Sequence, residues 1–300
     1  MSTRVTIGIC AKNSEKTIKV TIEGMIGQDF PHDLMKLVVV DDGSTDKTLS
    51  VVRNILSETD IRTLILSSGG KGLGPSRQII VDNAEGDYLV FVDADVKAKK
   101  DFVSNHVKFM DATPSVGAAM ANPIVNEKTL VATLVSMDQM PRSFRSLSYQ
   151  EVIATGATIF RLKAIKHVGG FDTNIKGAGE DQDITLRIRE SGWRLCRNSL
   201  NEVYHLGAPT TWKRFWDRQF WYGYGSHYRY HKYKSQMLPF EYFPLFALMI
   251  GFKNSCPIYK VTRDKKAFLL PLYFLLRGIA RTLGFVRAHF DGYGHIARYR

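Results

Sequence analysis

Tyr88-Leu89-Val90-Phe91-Val92-Asp93-Ala94-Asp95 is the stretch that decides the fold. Its first five residues are a continuous apolar, β-favouring run, which predicts a strand buried on both faces. Two carboxylates stand at the carboxyl end of that strand, the place where open α/β sheets bind ligands. Carboxylates one residue apart can both address a hard cation such as Mg²⁺ or Mn²⁺, whose shell is completed by substrate phosphates. The same two residues also suit a turn and a helix cap. The D-x-D pattern alone does not choose between these readings.

Working outward, strands and helices alternate. A strand over 5–10 precedes a helix over 15–26, and a strand over 37–40 runs into Asp41-Asp42-Gly43-Ser44-Thr45-Asp46, so carboxylates crown a second apolar strand. A helix over 47–56, a strand over 62–66, a loop over 67–76 and a helix over 77–84 return the chain to the Asp-Ala-Asp strand. This β-α-β order predicts a doubly wound, mostly parallel sheet with helices on both faces and a site along its carboxyl edge. The loop segment Gly70-Lys71-Gly72-Leu73-Gly74 has neither the dinucleotide-binding nor the P-loop spacing. It offers Lys71 and Arg77 as cations to face a nucleotide, and Lys71 fits a solvated surface charge equally well.

The chain has 300 residues, 44% hydrophobic and 23% charged, enough for one large α/β domain with an appendage. A net charge of +12 points to an anionic partner: a phosphorylated substrate, nucleic acid or an acidic membrane surface. Cys10, Cys196 and Cys256 form no C-x-x-C pair, which argues against a zinc knuckle or disulfide framework and for a reducing, cytoplasmic setting. No secretory leader is expected, since the strand-like run begins within a few residues of the start.

Val38-Val39-Val40-Asp41-Asp42-Gly43-Ser44-Thr45-Asp46, then Gly74-Pro75-Ser76-Arg77-Gln78, then Gly86-Asp87 and the Asp-Ala-Asp strand, resemble the amino-terminal half of family 2 glycosyltransferases of the GT-A fold. Ala154-Thr155-Gly156-Ala157, Val168-Gly169-Gly170-Phe171-Asp172, Gly179-Glu180-Asp181-Gln182-Asp183 and Gly192-Trp193-Arg194 continue the likeness in the same order, over residues 4–225. The resemblance implies a nucleoside-diphosphate sugar as donor, with Asp41 and Asp42 accepting hydrogen bonds from base and ribose and Arg77 lying against base or diphosphate. It implies a divalent metal, Mn²⁺ or Mg²⁺, bound by Asp95, with Asp93 holding the ribose or a metal-bound water. It makes His205, after a strand-like run at 202–207, a further metal or phosphate contact. It also implies an inverting transfer in which Asp181 is the general base, with Glu180 binding an acceptor hydroxyl. Asp183 reads as a helix-start residue.

These implications divide the chain into a catalytic domain over 1–235, with a nucleotide-binding half over 1–122 and an acceptor half over 123–235, and a helical carboxyl-terminal region over 236–300. In that region apolar runs at 237–252 and 267–276 flank a basic segment. Arg277, Arg281 and Arg287 then recur among apolar residues in the manner of an interfacial helix. Membrane association at the cytoplasmic face, with a glycan or lipid-linked acceptor, is the expectation. Two alternatives stand beside it. A sugar-nucleotidyltransferase of related fold would carry a basic glycine-rich loop where Ala11-Lys12-Asn13-Ser14 stands. A nucleic-acid-binding protein would use the interleaved aromatic and basic residues at 212–233, but the acidic sheet edge would repel a phosphate backbone, so no nucleic acid is expected.

Overall fold

A computed structural model describes residues 2–125, 128–140, 147–233 and 243–293. The chain forms two compact units: Met1–Ile124, Arg145–Lys176 and Glu180–Gly207 make the first, and Val125–Phe144, Gly177–Gly179 and Ala208–Arg300 the second. The boundary expected at 235/236 lies outside the described residues.

The first unit is built on one sheet, which among the described residues has nine strands: β1 (Val5–Ala11), β2 (Met35–Asp41), β3 (Arg62–Ser67), β4 (Tyr88–Val92), β5 (Val96–Ala98), β6 (Val116–Ile124), β7 (Leu147–Gln150), β8 (Ala157–Arg161) and β9 (Arg194–His205). Their order is β3-β2-β1-β4-β8-β6-β9-β5, with β7 paired to β9. Pairings β3-β2, β2-β1 and β1-β4 are parallel, as the β-α-β reading predicts. Beyond β4 antiparallel pairings join the parallel ones. β8 runs antiparallel between β4 and β6, while β6 and β9 run parallel to each other. The carboxyl ends of β1, β2, β4 and β9 therefore share one edge with the start of β8. The order reverses between β1 and β4, where such sheets open a ligand crevice.

Period-two alternation splits the apolar side chains between the faces. Leu37 and Val39 of β2 and Val90 of β4 pack with Ile18, Ile22 and Met25 of α1 (Ile18–Ile26) on one side. Val38, Val40, Leu89 and Phe91 pack on the other with Ile80 of α3 (Leu73–Asp82) and Ile184 of α7 (Glu180–Glu190). Helices α2 (Thr48–Leu56), α4 (Phe102–Ala112) and α6 (Leu162–His167) complete the layers. Two helices start earlier than the sequence predicts, α3 at Leu73 and α7 at Glu180. Pro75, whose missing N–H costs nothing in a first turn, is compatible with the first of these.

The second unit is helical: α5 (Leu130–Gln139), α8 (Trp212–Lys232), α9 (Pro244–Thr262) and α10 (Leu270–Phe290). Its core gathers Leu134, Phe215, Leu270 and Phe274. Buried Arg277 pairs with Asp138 at 2.8 Å, which matches its charge. Of the aromatic residues of α8, Phe215 and Tyr228 are buried and Tyr224 stacks on Tyr293, while Trp212, Trp221 and Tyr230 are exposed. Among the described residues one helical stretch, Lys265–Phe290, is long and apolar enough by composition to cross a bilayer, with 44% of its most apolar window buried inside the protein.

Candidate active site

The site assembles at the carboxyl edge of the sheet. β2 ends in Asp41, and the two acidic residues there divide the work. Asp41 accepts from the backbone N–H of Gly43 at 3.2 Å and of Ser44 at 3.1 Å, so its carboxylate closes its own turn. Asp42 accepts from Ser68 Oγ at 2.5 Å, Gly72 N at 2.9 Å and Lys12 Nζ at 3.2 Å. Burial works to raise the Asp42 pKa, but these donors outweigh it and hold the carboxyl below its ordinary value. The cation at Asp42 is thus Lys12 from the end of β1, while Lys71 is exposed on its loop. That loop owes its course to Gly72, at φ +103°, where a Cβ would lie 2.3 Å from Lys176 O.

Arg77, which points from α3, is only 4% exposed. It donates to Glu180 Oε1 and, at 3.0 Å, to Asp93 Oδ1, and its guanidinium lies 5.9 Å from the ring centres of both Phe91 and Phe171. Burial alone would lower its pKa, yet Glu180 and Asp93 raise it, so it stays charged. Arg77, expected to lie against a nucleotide, turns Nη1 and Nη2 to these two carboxylates. Glu180 is likewise buried. Burial pushes its carboxyl up, with Arg77 opposing and Asp181 adding to the rise. Its Oε2 has no hydrogen-bond partner among the described residues. Glu180, expected to bind an acceptor hydroxyl, accepts from Arg77 on its other oxygen, Oε1.

Asp93 ends β4, with its N–H bonded to Gly156 O at 2.8 Å. Two residues on, Asp95 accepts Leu206 N–H on its backbone oxygen at 2.7 Å, which brings the end of β9 beside it. Ligand atoms of Asp93, Asp95 and His205 lie within 4.8 Å of one another. His205 Nδ1 is 3.7 Å from Asp95 Oδ2, too far for a hydrogen bond, and is buried without a partner among the described residues. Room for the two carboxylates comes from glycine. A Cβ at Gly156 would lie 2.3 Å from Asp93 Oδ2, and one at Gly207 1.8 Å from Asp95 Oδ2. Two carboxylates and one imidazole, whose Nδ1 lacks a partner among the described residues, fit a divalent cation such as Mn²⁺.

Asp181 and Asp183 share the first turn of α7. Asp181 is half-buried and its Oδ1 accepts from Gln182 N–H at 2.7 Å. Asp183 is fully buried and grips Arg187, one turn on, at 2.9 Å to Nε and 2.6 Å to Nη2. Arg187 in turn donates to Val168 O and Gly170 O. Asp183 is therefore half of a buried ion pair more than a simple helix-start residue. Sequence reasoning missed Lys12, Ser68 and the paired glycines Gly156 and Gly207 as parts of the site. Lys12, Gly156 and Gly207 lie in stretches read above, at 11–14, 154–157 and 202–207, but nothing in those stretches marked these residues as parts of the site.

Residues 6–169 match the Glycosyl transferase family 2 profile, and residues 88–283 match Glycosyl transferase family group 2. The poly(ribitol-phosphate) beta-N-acetylglucosaminyltransferase TarS of Staphylococcus aureus is 34% identical over 99 residues, which cover 33% of this chain and 17% of that protein. The beta-monoglucosyldiacylglycerol synthase of Synechocystis is 26% identical over 202 residues, 64% of this chain and 41% of the relative. The aligned segments thus cover less than half the length of either relative. Two solved structures share the fold: TarS residues 1–349, at TM-score 0.54 and 19% identity over 96% of this chain and 92% of that one, and the mannosyltransferase PcManGT of Pyrobaculum calidifontis, in complex with GDP-Man and Mn²⁺, at TM-score 0.61 and 18% identity over 99% and 81%.

Proposed function

The chain belongs to glycosyl transferase family 2, and on that premise we propose that it moves a sugar from a nucleoside-diphosphate sugar to a hydroxyl or phosphate of a glycan or lipid-linked acceptor, with inversion at the anomeric carbon. The observation that carries this reading is the convergence of Asp93, Asp95 and His205 at the carboxyl edge of the sheet. A diphosphate brought to an edge lined with carboxylates needs a cation between them, and these three residues would hold Mn²⁺ or Mg²⁺ there. Bound, the cation supplies Lewis-acid neutralisation of the diphosphate leaving group.

The remaining roles belong to the chain's own side chains. Asp42, kept ionised by Ser68, Gly72 and Lys12, accepts hydrogen bonds from base and ribose, and Lys12 beside it faces the donor's negative charge. Arg77 acts as a positioning residue, holding Asp93 and Glu180 in register across α3, β4 and α7. Asp181 takes the proton from the attacking hydroxyl. It stands in the first turn of α7, where free N–H groups and the helix dipole favour a carboxylate.

A membrane surface is the second element of the proposal. On α9, Leu245, Met249 and Phe252 are 73%, 64% and 64% exposed and recur at helical spacing, so one face of that helix is apolar and open. Lys253 and Lys260 follow on the same helix, a combination that suits the anionic cytoplasmic face of a bilayer.

Asp95→Asn tests the metal reading. Calorimetry of the wild type should show nucleoside diphosphate binding that depends on Mn²⁺, and the variant should lose it while keeping the wild-type circular dichroism. Unchanged Mn²⁺-dependent binding would remove Asp95 from the site.

A further inference from the structure

The second unit contains a polar cluster that the transfer reaction does not use. His227 and His231 stand four residues apart on α8, and His289 projects from α10. His227 Nε2 is 3.1 Å from His231 Nε2 and 3.3 Å from His289 Nδ1, and ligand nitrogens of all three lie within 4.8 Å of one another. His227 is fully buried, His231 half-buried and His289 exposed, so the cluster opens to solvent on one side only.

Hydrogen bonding accounts poorly for this geometry. A single ring nitrogen carries either one N–H or one lone pair in the ring plane. His227 Nε2 faces two other ring nitrogens and can form one well-aligned hydrogen bond, not two. Protonating further rings does not help, because imidazolium ions about 3 Å apart repel strongly away from water. A metal ion removes the conflict by taking a lone pair from each ring. Zn–N bonds of about 2.0–2.1 Å at tetrahedral angles put ligand nitrogens about 3.3–3.4 Å apart, near the two separations found here. Neutral imidazoles suit zinc, copper and nickel and are poor partners for Mg²⁺.

The backbone brings the two helices close enough for the purpose. A Cβ at Gly223 would lie 2.0 Å from Arg281 O, and one at Gly284 2.0 Å from Phe220 O, so α8 and α10 approach more tightly than larger residues permit. Phe285 packs its ring 4.8 Å from that of His227, covering the inner side of the cluster.

We infer that His227, His231 and His289 form a binding site for a divalent transition metal of zinc type, which ties α8 to α10 and leaves a fourth position for water or another ligand. The site is separate in residues and in ligand chemistry from the carboxylate cluster at Asp93 and Asp95. Its test uses the full-length protein, freed of metal by chelation and titrated with Zn²⁺ and with Co²⁺ as a spectroscopic probe. Asp95→Asn, with the carboxylate site disabled, should bind one Zn²⁺, and both it and the wild type should show the intense visible bands of tetrahedral Co²⁺ and unfold at higher temperature with Zn²⁺ present. His289→Gln, at an exposed position, and His231→Gln should each lose roughly tenfold or more in Zn²⁺ affinity, along with the bands and the thermal shift. Failure of Asp95→Asn to bind Zn²⁺, or bands that persist in both histidine variants, would overturn the inference.

Discussion

The two units treat buried polar groups differently. In the sheet unit, charge is matched to charge: Arg77 lies between Glu180 and Asp93, Asp183 grips Arg187, and Lys12 meets Asp42. The helical unit buries Arg277 against Asp138 and also holds a cluster of three imidazoles. Carboxylate oxygens prefer hard cations and can be kept apart by arginine until a cation arrives. Imidazole nitrogens are neutral at rest and tolerate one another's proximity, but hydrogen bonds alone do not organise them. A matched ionic lattice can hold a site ready for a charged substrate, whereas an imidazole cluster gains its order from what it binds.

The sharpest way to break that contrast is to unmatch the lattice. Arg77→Met leaves Glu180 and Asp93 without their shared cation, and removing one member of a buried ionic group costs about 3–5 kcal/mol. Urea unfolding should show that loss, and a change under 1 kcal/mol would mean that the two carboxylates are proton-sharing or solvated instead. Asp181→Asn touches chemistry and not the lattice. It should keep donor affinity and stability while losing on the order of a hundredfold or more in nucleoside diphosphate release with saturating substrates, the usual worth of a positioned base. An active variant would move the base elsewhere.

A lone buried imidazole sharpens the comparison with the cluster. His106 on α4 is fully buried, and desolvation pushes its pKa from 6.5 down to about 3. The neutral ring is compatible with the fold and the charged ring is not. Its contribution is therefore fully present above pH 6.5 and lost as the pH falls toward about 3, amounting to about 2 kcal/mol by about pH 5. His106→Leu should flatten the slope of stability against pH over that window, and an unchanged slope would assign it to other groups. The smallest effect is expected at the surface of the helical unit. Replacing Leu245, Met249 and Phe252 together by serine should leave thermal stability nearly unchanged but shift the protein from anionic vesicles to the supernatant in a sedimentation assay. Equal binding by both proteins would detach the membrane proposal from α9.

Much of the sheet unit was legible because its signals are local. An apolar run followed by carboxylates marks a buried strand and its functional end within eight residues, as at 88–95, and the recurrence at 38–42 fixes the edge on which both stand. Acidic residues before an amphipathic run mark the start of α7. What remained illegible depends on residues distant in sequence. The antiparallel insertion of β8 follows from pairings with β4 and β6 on either side, and no pattern within five residues announces a direction. Lys12 reaches Asp42 because β1 and β2 are in register, with Ala11 opposite Asp41.

The sequence by itself determined the alternation of elements, the edge that carries Asp42, Asp93 and Asp95, and the family resemblance, since each rests on side-chain chemistry and spacing along a continuous stretch. Only the tertiary structure decided which charges are spent on one another and which are left to meet a substrate. It turned Arg77 and Glu180 inward, gave Asp41 to its own turn and set His205 beside Asp95 with a nitrogen unsatisfied. The physical reason is that the fate of a polar group depends on its distance to partners and on its access to water, and both are fixed only when residues as far apart as 77 and 180, or 227 and 289, are brought together.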